Sequence, residues 1–229
     1  MLVSVKVRLS GAAVCIAALS GFAPPAAGQE VRLTESMAEA RLVLNGREIV
    51  IGRTPNPEAV LRGEFTKTSR ACPPFCIQPM TPVPDVAPAG ELELIGFLQD
   101  HAAQGTGVLI DARLPEWFGK GAIPGAVNVP FATLDPSNPF RDQILAALGA
   151  RPLAGGGFDF SQAMTLMVYC NGPWSDQSVR ALQALAAAGY PPEKMMHYRG
   201  GMQDWLILGL TVAGGPEAEA KLATAEGQP

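Results

Sequence analysis

From residue 91 onward the chain alternates short apolar runs with segments of helical periodicity, and this restricts its fold more than any other feature. Residues 91–102 (ELELIGFLQDHA) carry the spacing of an amphipathic helix. Residues 107–112 (GVLIDA) form a short apolar run ending in an acid. A short helix follows at 115–121, a strand at 126–131 and a helix at 141–150. Next come a glycine-bearing loop, an apolar strand at 166–169 and an Ala/Leu-rich helix at 178–188. A strand at 195–198, a Gly-Gly turn and a last helix at 202–209 complete the series. Strands apolar along their whole length read as buried on both faces, and their alternation with helices implies an open parallel α/β sheet with helices on both sides. No internal repeat is visible, so residues 91–214 are expected to form one unit.

The preceding residues have a different character. In residues 40–52, Asn45-Gly46 separates two β-prone runs, the strongest short-range hairpin signal. A helical turn is expected near residues 56–65. The stretch from residue 68 to 90 is rich in proline and cannot hold a regular helix or a central strand. We read residues 29–90 as an extension whose later part is an extended arm lying on the main domain. Residues 1–28 combine Lys6 and Arg8, an apolar run and small residues at Ala26 and Gly28, the pattern of a secretory signal peptide. Residues 215–229 are expected to be a flexible tail. Removing residues 1–28 takes away two cations and no acid, moving the formal charge from −4 to −6. An acidic chain without a basic run is a poor partner for nucleic acid or an anionic membrane. The expected location is the periplasm.

In that oxidising space the cysteines acquire meaning. Cys15 departs with the signal peptide, leaving Cys72, Cys76 and Cys170. An odd number suggests one pair and one free thiol. Cys72 and Cys76 are the natural pair, as a structural disulfide or as a redox couple serving Cys170.

In open α/β sheets the reactive crevice lies at the carboxyl ends of the strands. Two such ends carry chemistry here. One is Asp111-Ala112-Arg113, where Arg113 either orients a substrate or loop or forms a fold-fixing ion pair with Asp111. The other is Cys170, followed by Asn171, Gly172, Pro173, Trp174, Ser175, Asp176 and Gln177 and then Ser178 at a helix start. Such a loop can curl with backbone N–H groups pointing at the sulfur, and the helix start adds partial positive charge; both favour a reactive thiolate.

Three segments, in order, resemble the rhodanese-homology family. The first runs from Asp111-Ala112-Arg113 to Gly121-Ala122-Ile123-Pro124-Gly125-Ala126. The second is the strand, loop and helix around Cys170. The third is Gly200-Gly201 with Trp205 and Gly209. The resemblance implies a rhodanese-like sheet and covalent sulfur transfer, with Cys170 holding a persulfide between a small sulfur-containing donor and a thiol acceptor. It implies no metal and no organic cofactor. The chain departs from the family at the loop, where Gln177 stands in place of a usual Arg and Asp176 adds a carboxylate. Thiosulfate, a dianion, is therefore expected to be a poor donor. Related phosphatases need an Arg at the position of Asp176, so phosphatase activity is not expected. Alternatives to the sulfurtransferase are a non-catalytic module binding a periplasmic partner protein and a thiol–disulfide protein using all three cysteines. His101 is expected on a helix surface and His197 packed within a strand. Of the tryptophans, Trp174 is expected at the site mouth and Trp117 and Trp205 in the core.

Overall fold

A computed structural model describes residues 30–215. The expected signal peptide and all but the first residue of the expected tail lie outside the described residues. The chain opens with an antiparallel hairpin, β1 (Ala40–Leu44) and β2 (Arg47–Ile51). Its turn residues, Asn45 and Gly46, both take positive φ (51° and 76°), as the tight turn requires.

The main sheet has five strands, all parallel, in the order β3–β9–β8–β4–β5. These are β3 (Ala87–Pro88), β4 (Gly107–Asp111), β5 (Val127–Asn128), β8 (Thr165–Tyr169) and β9 (Met195–Tyr198). A small antiparallel pair, β6 (Arg151–Pro152) and β7 (Phe158–Asp159), sits in the glycine-bearing loop. The helices are α1 (Glu91–Phe97), α2 (Pro115–Phe118), α3 (Arg141–Ala147), α4 (Gln177–Ala187) and α5 (Gly201–Ile207). A wider turn of π geometry, Leu98–Ala102, prolongs α1. Helix α3 stops earlier than expected because Gly149, at φ +93°, takes the left-handed position just past the helix end.

Side chains alternate across the sheet, and the two faces bury separate cores. Leu109, Met167 and Tyr169 pack with the hairpin's Leu42 and Ile51, with Leu94 and Leu98, and with Trp205 of α5. Ile110, Leu166, Val168 and Met195 pack on the other face against Leu145 of α3 and Leu182 and Leu185 of α4. The buried apolar strands thus separate two helical layers.

The proline-rich stretch contributes an element to this sheet. Ala87 and Pro88 pair in parallel with Met196 and His197, and Ala89 N–H donates to the His197 carbonyl at 2.9 Å. Proline is tolerated there because β3 is an edge strand. Among the described residues no helix is long and apolar enough to cross a membrane.

Candidate functional site

Cys170 directly follows β8, the middle strand of the five, and is buried, 1% exposed. Strand alternation turns it away from Tyr169 and toward α4. The loop after it curls back through Ser175 N–H to the Gly172 carbonyl (3.0 Å) and leads into α4 at Gln177. Gly201, at φ +58°, packs against this loop so closely that any β-carbon there would meet the Cys170 carbonyl and the Gly172 nitrogen. Met202 and Gln203 N–H groups donate to the Cys170 and Asn171 carbonyls, both at 3.0 Å. The Gly-Gly turn is therefore a mould for the cysteine loop.

The expected ring of N–H donors around the sulfur is not what the loop presents. Cys170 Sγ faces the Ser175 carbonyl at 3.4 Å, the Gly172 carbonyl at 3.9 Å and Ser178 Oγ at 3.1 Å. Carbonyl oxygens accept hydrogen bonds, so these contacts suit a protonated thiol. Ser178 Oγ lies in turn 3.0 Å from His197 Nε2, and His197 Nδ1 lies 2.9 Å from the Met80 carbonyl. His197 is thus packed, as expected, but it also reaches the sulfur through one hydroxyl. The alternation of β9 carried the signal: Met195 and His197 face the α4 side, as do Val168 and Cys170. Burial, above all, holds the His197 imidazole below its ordinary value; the Met80 carbonyl works the other way, and the Arg199 charge adds to the lowering.

Asp111 and Arg113 do not open onto the loop. Both are buried, and the Arg113 guanidinium grips the Asp111 carboxylate through Nε and Nη2 while Nη2 also donates to the Gly121 carbonyl at 2.7 Å. Tyr169 OH donates to Asp111 Oδ2 at 2.7 Å and accepts from Ile123 N–H at 3.2 Å. Burial and the neighbouring Asp111 charge push the Tyr169 phenol well above its ordinary value, which keeps it a neutral donor. This network ties β4, β8 and the turn before β5 together and fixes the sheet beneath Cys170.

The arm covers the loop. Phe75 meets Trp174 edge to face with centroids 5.6 Å apart, and the Arg70 guanidinium lies 3.5 Å from the Trp174 ring centre. Gln78 N–H donates to the Pro173 carbonyl at 2.8 Å, and Arg199 Nε donates to the Gln78 carbonyl at 2.6 Å. Trp174 Nε1 donates to Gln203 Oε1 at 2.6 Å. Cys72 and Cys76 are paired in this arm, Cα to Cα 4.7 Å, while Cys170 is unpaired among the described residues. Between arm and loop is a cleft of about 190 Å3. Loop residues Asn171, Trp174, Ser175, Asp176 and Gln177 form one side, and Glu64, Arg70 and Phe75 the other. Trp117, expected in the core, also lines it. Cys170 does not reach the cleft surface. Asn171 Nδ2 contacts Gln177 Oε1 at 3.4 Å, and its buried Oδ1 has no partner. Arg70 supplies a cation that the loop itself lacks; lying 100 residues before Cys170, it carried no local signal. Among the described residues no group of three or more His, Cys, Asp or Glu could hold a metal ion.

The family match falls on this architecture. The model of the rhodanese-like domain family matches residues 95–208, from α1 through α5. Residues 95–208 are a rhodanese-like domain. Similar solved structures include a protein from Bacillus halodurans (17% identity, 57% of this chain and 78% of that one, TM-score 0.42). A rhodanese with anions from E. coli is 24% identical over 48% of this chain and 99% of that one, TM-score 0.32. A human single-domain sulfurtransferase is 25% identical over 52% of this chain and 93% of that one, TM-score 0.34. No match was found among curated proteins. In the rhodanese-like domain of this chain the three motif segments come together around one loop: the first as the Asp111–Arg113–Tyr169 brace, the second as the cysteine loop and the third as its mould.

Proposed function

We propose that this protein is a periplasmic sulfurtransferase that carries sulfane sulfur on Cys170. The observation behind this reading is an unpaired cysteine at the carboxyl end of the middle strand of a rhodanese-like domain, beneath a cleft. The Cys170 thiolate attacks the outer sulfur of a persulfide donor. A Cys170–S bond forms, the donor's S–S bond breaks, and the donor leaves as a thiolate. An acceptor thiolate then attacks the terminal sulfur and releases Cys170 as thiolate. This is two-step covalent catalysis and needs no metal or organic cofactor. Two carboxylates, Glu64 and Asp176, line the cleft with one cation, Arg70, and that cation lies over an indole. A dianion such as thiosulfate is disfavoured there, and an apolar-bodied persulfide is the preferred donor. The N-terminal leader pattern and the paired Cys72 and Cys76, read as a structural disulfide, support the periplasmic placement.

The test is intact-mass spectrometry after exposure to a sulfane donor. Wild type should gain about 32 mass units, one sulfur atom, releasable by cyanide, and Cys170→Ser should gain none. Failure of both thiosulfate and persulfide donors to load Cys170 refutes the reading. The burial of Cys170 and the arm over its loop favour one competing reading, a non-catalytic module that binds a periplasmic partner. In that case Cys170→Ser leaves function intact.

A further inference from the structure

From the Met80 carbonyl through His197 to Ser178, the hydrogen bonds behind Cys170 have only one consistent direction when the imidazole is neutral. A carbonyl oxygen can only accept, so His197 Nδ1, 2.9 Å from the Met80 carbonyl, carries a proton. A neutral imidazole then has a bare lone pair on Nε2. Ser178 Oγ, 3.0 Å away, must donate to it. The Ser178 hydroxyl has spent its proton, so toward Cys170 it can only accept, and at 3.1 Å it is the nearest of three acceptors for the single S–H proton, ahead of the Ser175 and Gly172 carbonyls at 3.4 and 3.9 Å. Cys170, Ser178 and His197 are each about 1% exposed, so water does not compete for these positions.

From this we infer that Ser178 and His197 form a built-in proton relay for Cys170, oriented by the Met80 carbonyl of the arm. As Cys170 Sγ becomes a nucleophile, its proton moves to Ser178 Oγ while the Ser178 proton moves to His197 Nε2. The products are a thiolate and an imidazolium; no proton leaves the group and no other reactant is needed. In the new state Nε2–H donates to Oγ, Oγ–H donates to the thiolate, and Nδ1–H keeps the Met80 carbonyl. Each atom of the relay has its partner in both states, without movement of a heavy atom. The carbonyls of Gly172 and Ser175 hold the resting state on the thiol side. The groups acting on His197 are Cys170 from the end of β8, Ser178 from α4, the Met80 carbonyl from the arm and Arg199 from the end of its own strand. Ser178 touches the reacting atom, and His197 is a positioning residue that acts through it. The relay rests on Cys170 being the nucleophile of the proposed function, but its test needs no sulfur donor.

The first measurement uses the unmodified protein. Long-range proton–nitrogen NMR of the two histidines, assigned with His101→Gln, reads the tautomer. At pH 7.5 His197 should be neutral with its proton on Nδ1; a proton on Nε2 alone overturns the relay. The second is the rate of Cys170 alkylation by iodoacetamide, a neutral reagent, across pH 5.5–9.5. Ser178→Ala and His197→Gln should each slow alkylation at pH 7 about tenfold or more and move the profile to higher pH, because the thiolate fraction falls tenfold for each unit by which the thiol pKa rises. Glutamine can accept from Ser178 but cannot take its proton. A His197→Gln profile that superimposes on wild type, with both proteins folded by circular dichroism, refutes the proton role and leaves a packing role only. If alkylation responds as expected while no donor loads Cys170, the relay stands and the sulfurtransferase reading falls.

Discussion

Tyr169→Phe removes one oxygen atom from the brace beneath the cysteine loop and leaves the ring in place. Tyr169 and Ile123 are fully buried, so the loss is not made good by water. The hydroxyl makes two bonds, one to the Asp111 carboxylate and one from the Ile123 N–H. The Ile123 N–H is left without a partner, a cost of about 1–3 kcal/mol for a buried donor. The carboxylate keeps its bonds from the Arg113 side chain and backbone N–H, so its loss falls at the low end of about 1.5–3 kcal/mol for a hydrogen bond to a charged group. Together the expected destabilisation is about 2.5–4.5 kcal/mol, or a fall in Tm of roughly 5–18 °C for a chain of this size. Urea unfolding should show a lower midpoint with an unchanged slope. Tyr190→Phe is the internal reference. Its hydroxyl donates only to the Leu148 and Met164 carbonyls, so no donor is stranded and the cost should be smaller, about 1 kcal/mol. A Tyr169→Phe cost below about 0.5 kcal/mol, or one no larger than that of Tyr190→Phe, would refute the claim that this hydroxyl completes a buried charged network.

Two further expectations concern the loop and its histidine. Gly201→Ala meets both an unfavourable positive φ and the backbone of the cysteine loop, with the Gly172 nitrogen 2.7 Å from the added carbon. It should cost more than about 1 kcal/mol in denaturant unfolding and alter Cys170 alkylation, and wild-type values in both would show that the turn does not mould the loop. For pH, His197 is held below its ordinary value of 6.5 in the fold, so between the two values the unfolded chain binds more protons and stability rises with pH. Its contribution is complete above about pH 6.5 and is lost as pH falls through the folded value. The urea midpoint should therefore drop more between pH 8 and pH 5.5 in wild type than in His197→Gln, and equal drops would show that His197 does not report its burial.

Much of this architecture was legible from residues 107–112, 166–169 and 178–188, because apolar runs of strand length and a helix of clear periodicity say which faces are buried. The hairpin was legible from Asn45-Gly46 set between two β-prone runs. Strand β3 was not, since a two-residue strand containing Pro88 owes its existence to the open edge of β9 and not to any propensity of its own. The small β6–β7 pair likewise depends on glycine turns within one loop. At the site, Cys170 and its loop could be named from position and residue type. The direction of the hydrogen bonds at the sulfur could not, because loop curvature decides whether N–H or C=O groups face inward. His197 was legible as a packed residue; its path to the sulfur depends on Ser178 from α4 and on Met80, 117 residues away. Contacts of that span leave no mark in a local sequence window.

The edge of the family domain falls inside this assembly. Residues 95–208 contain Cys170, Ser178 and His197, but β3, Arg70 and the Met80 carbonyl all come earlier in the chain. A segment cut at residue 95 and grafted onto another protein would carry the thiol and its hydroxyl. It would leave β9 with a bare edge and the imidazole free to place its proton on either nitrogen. The nucleophile is portable; the setting of its proton is not.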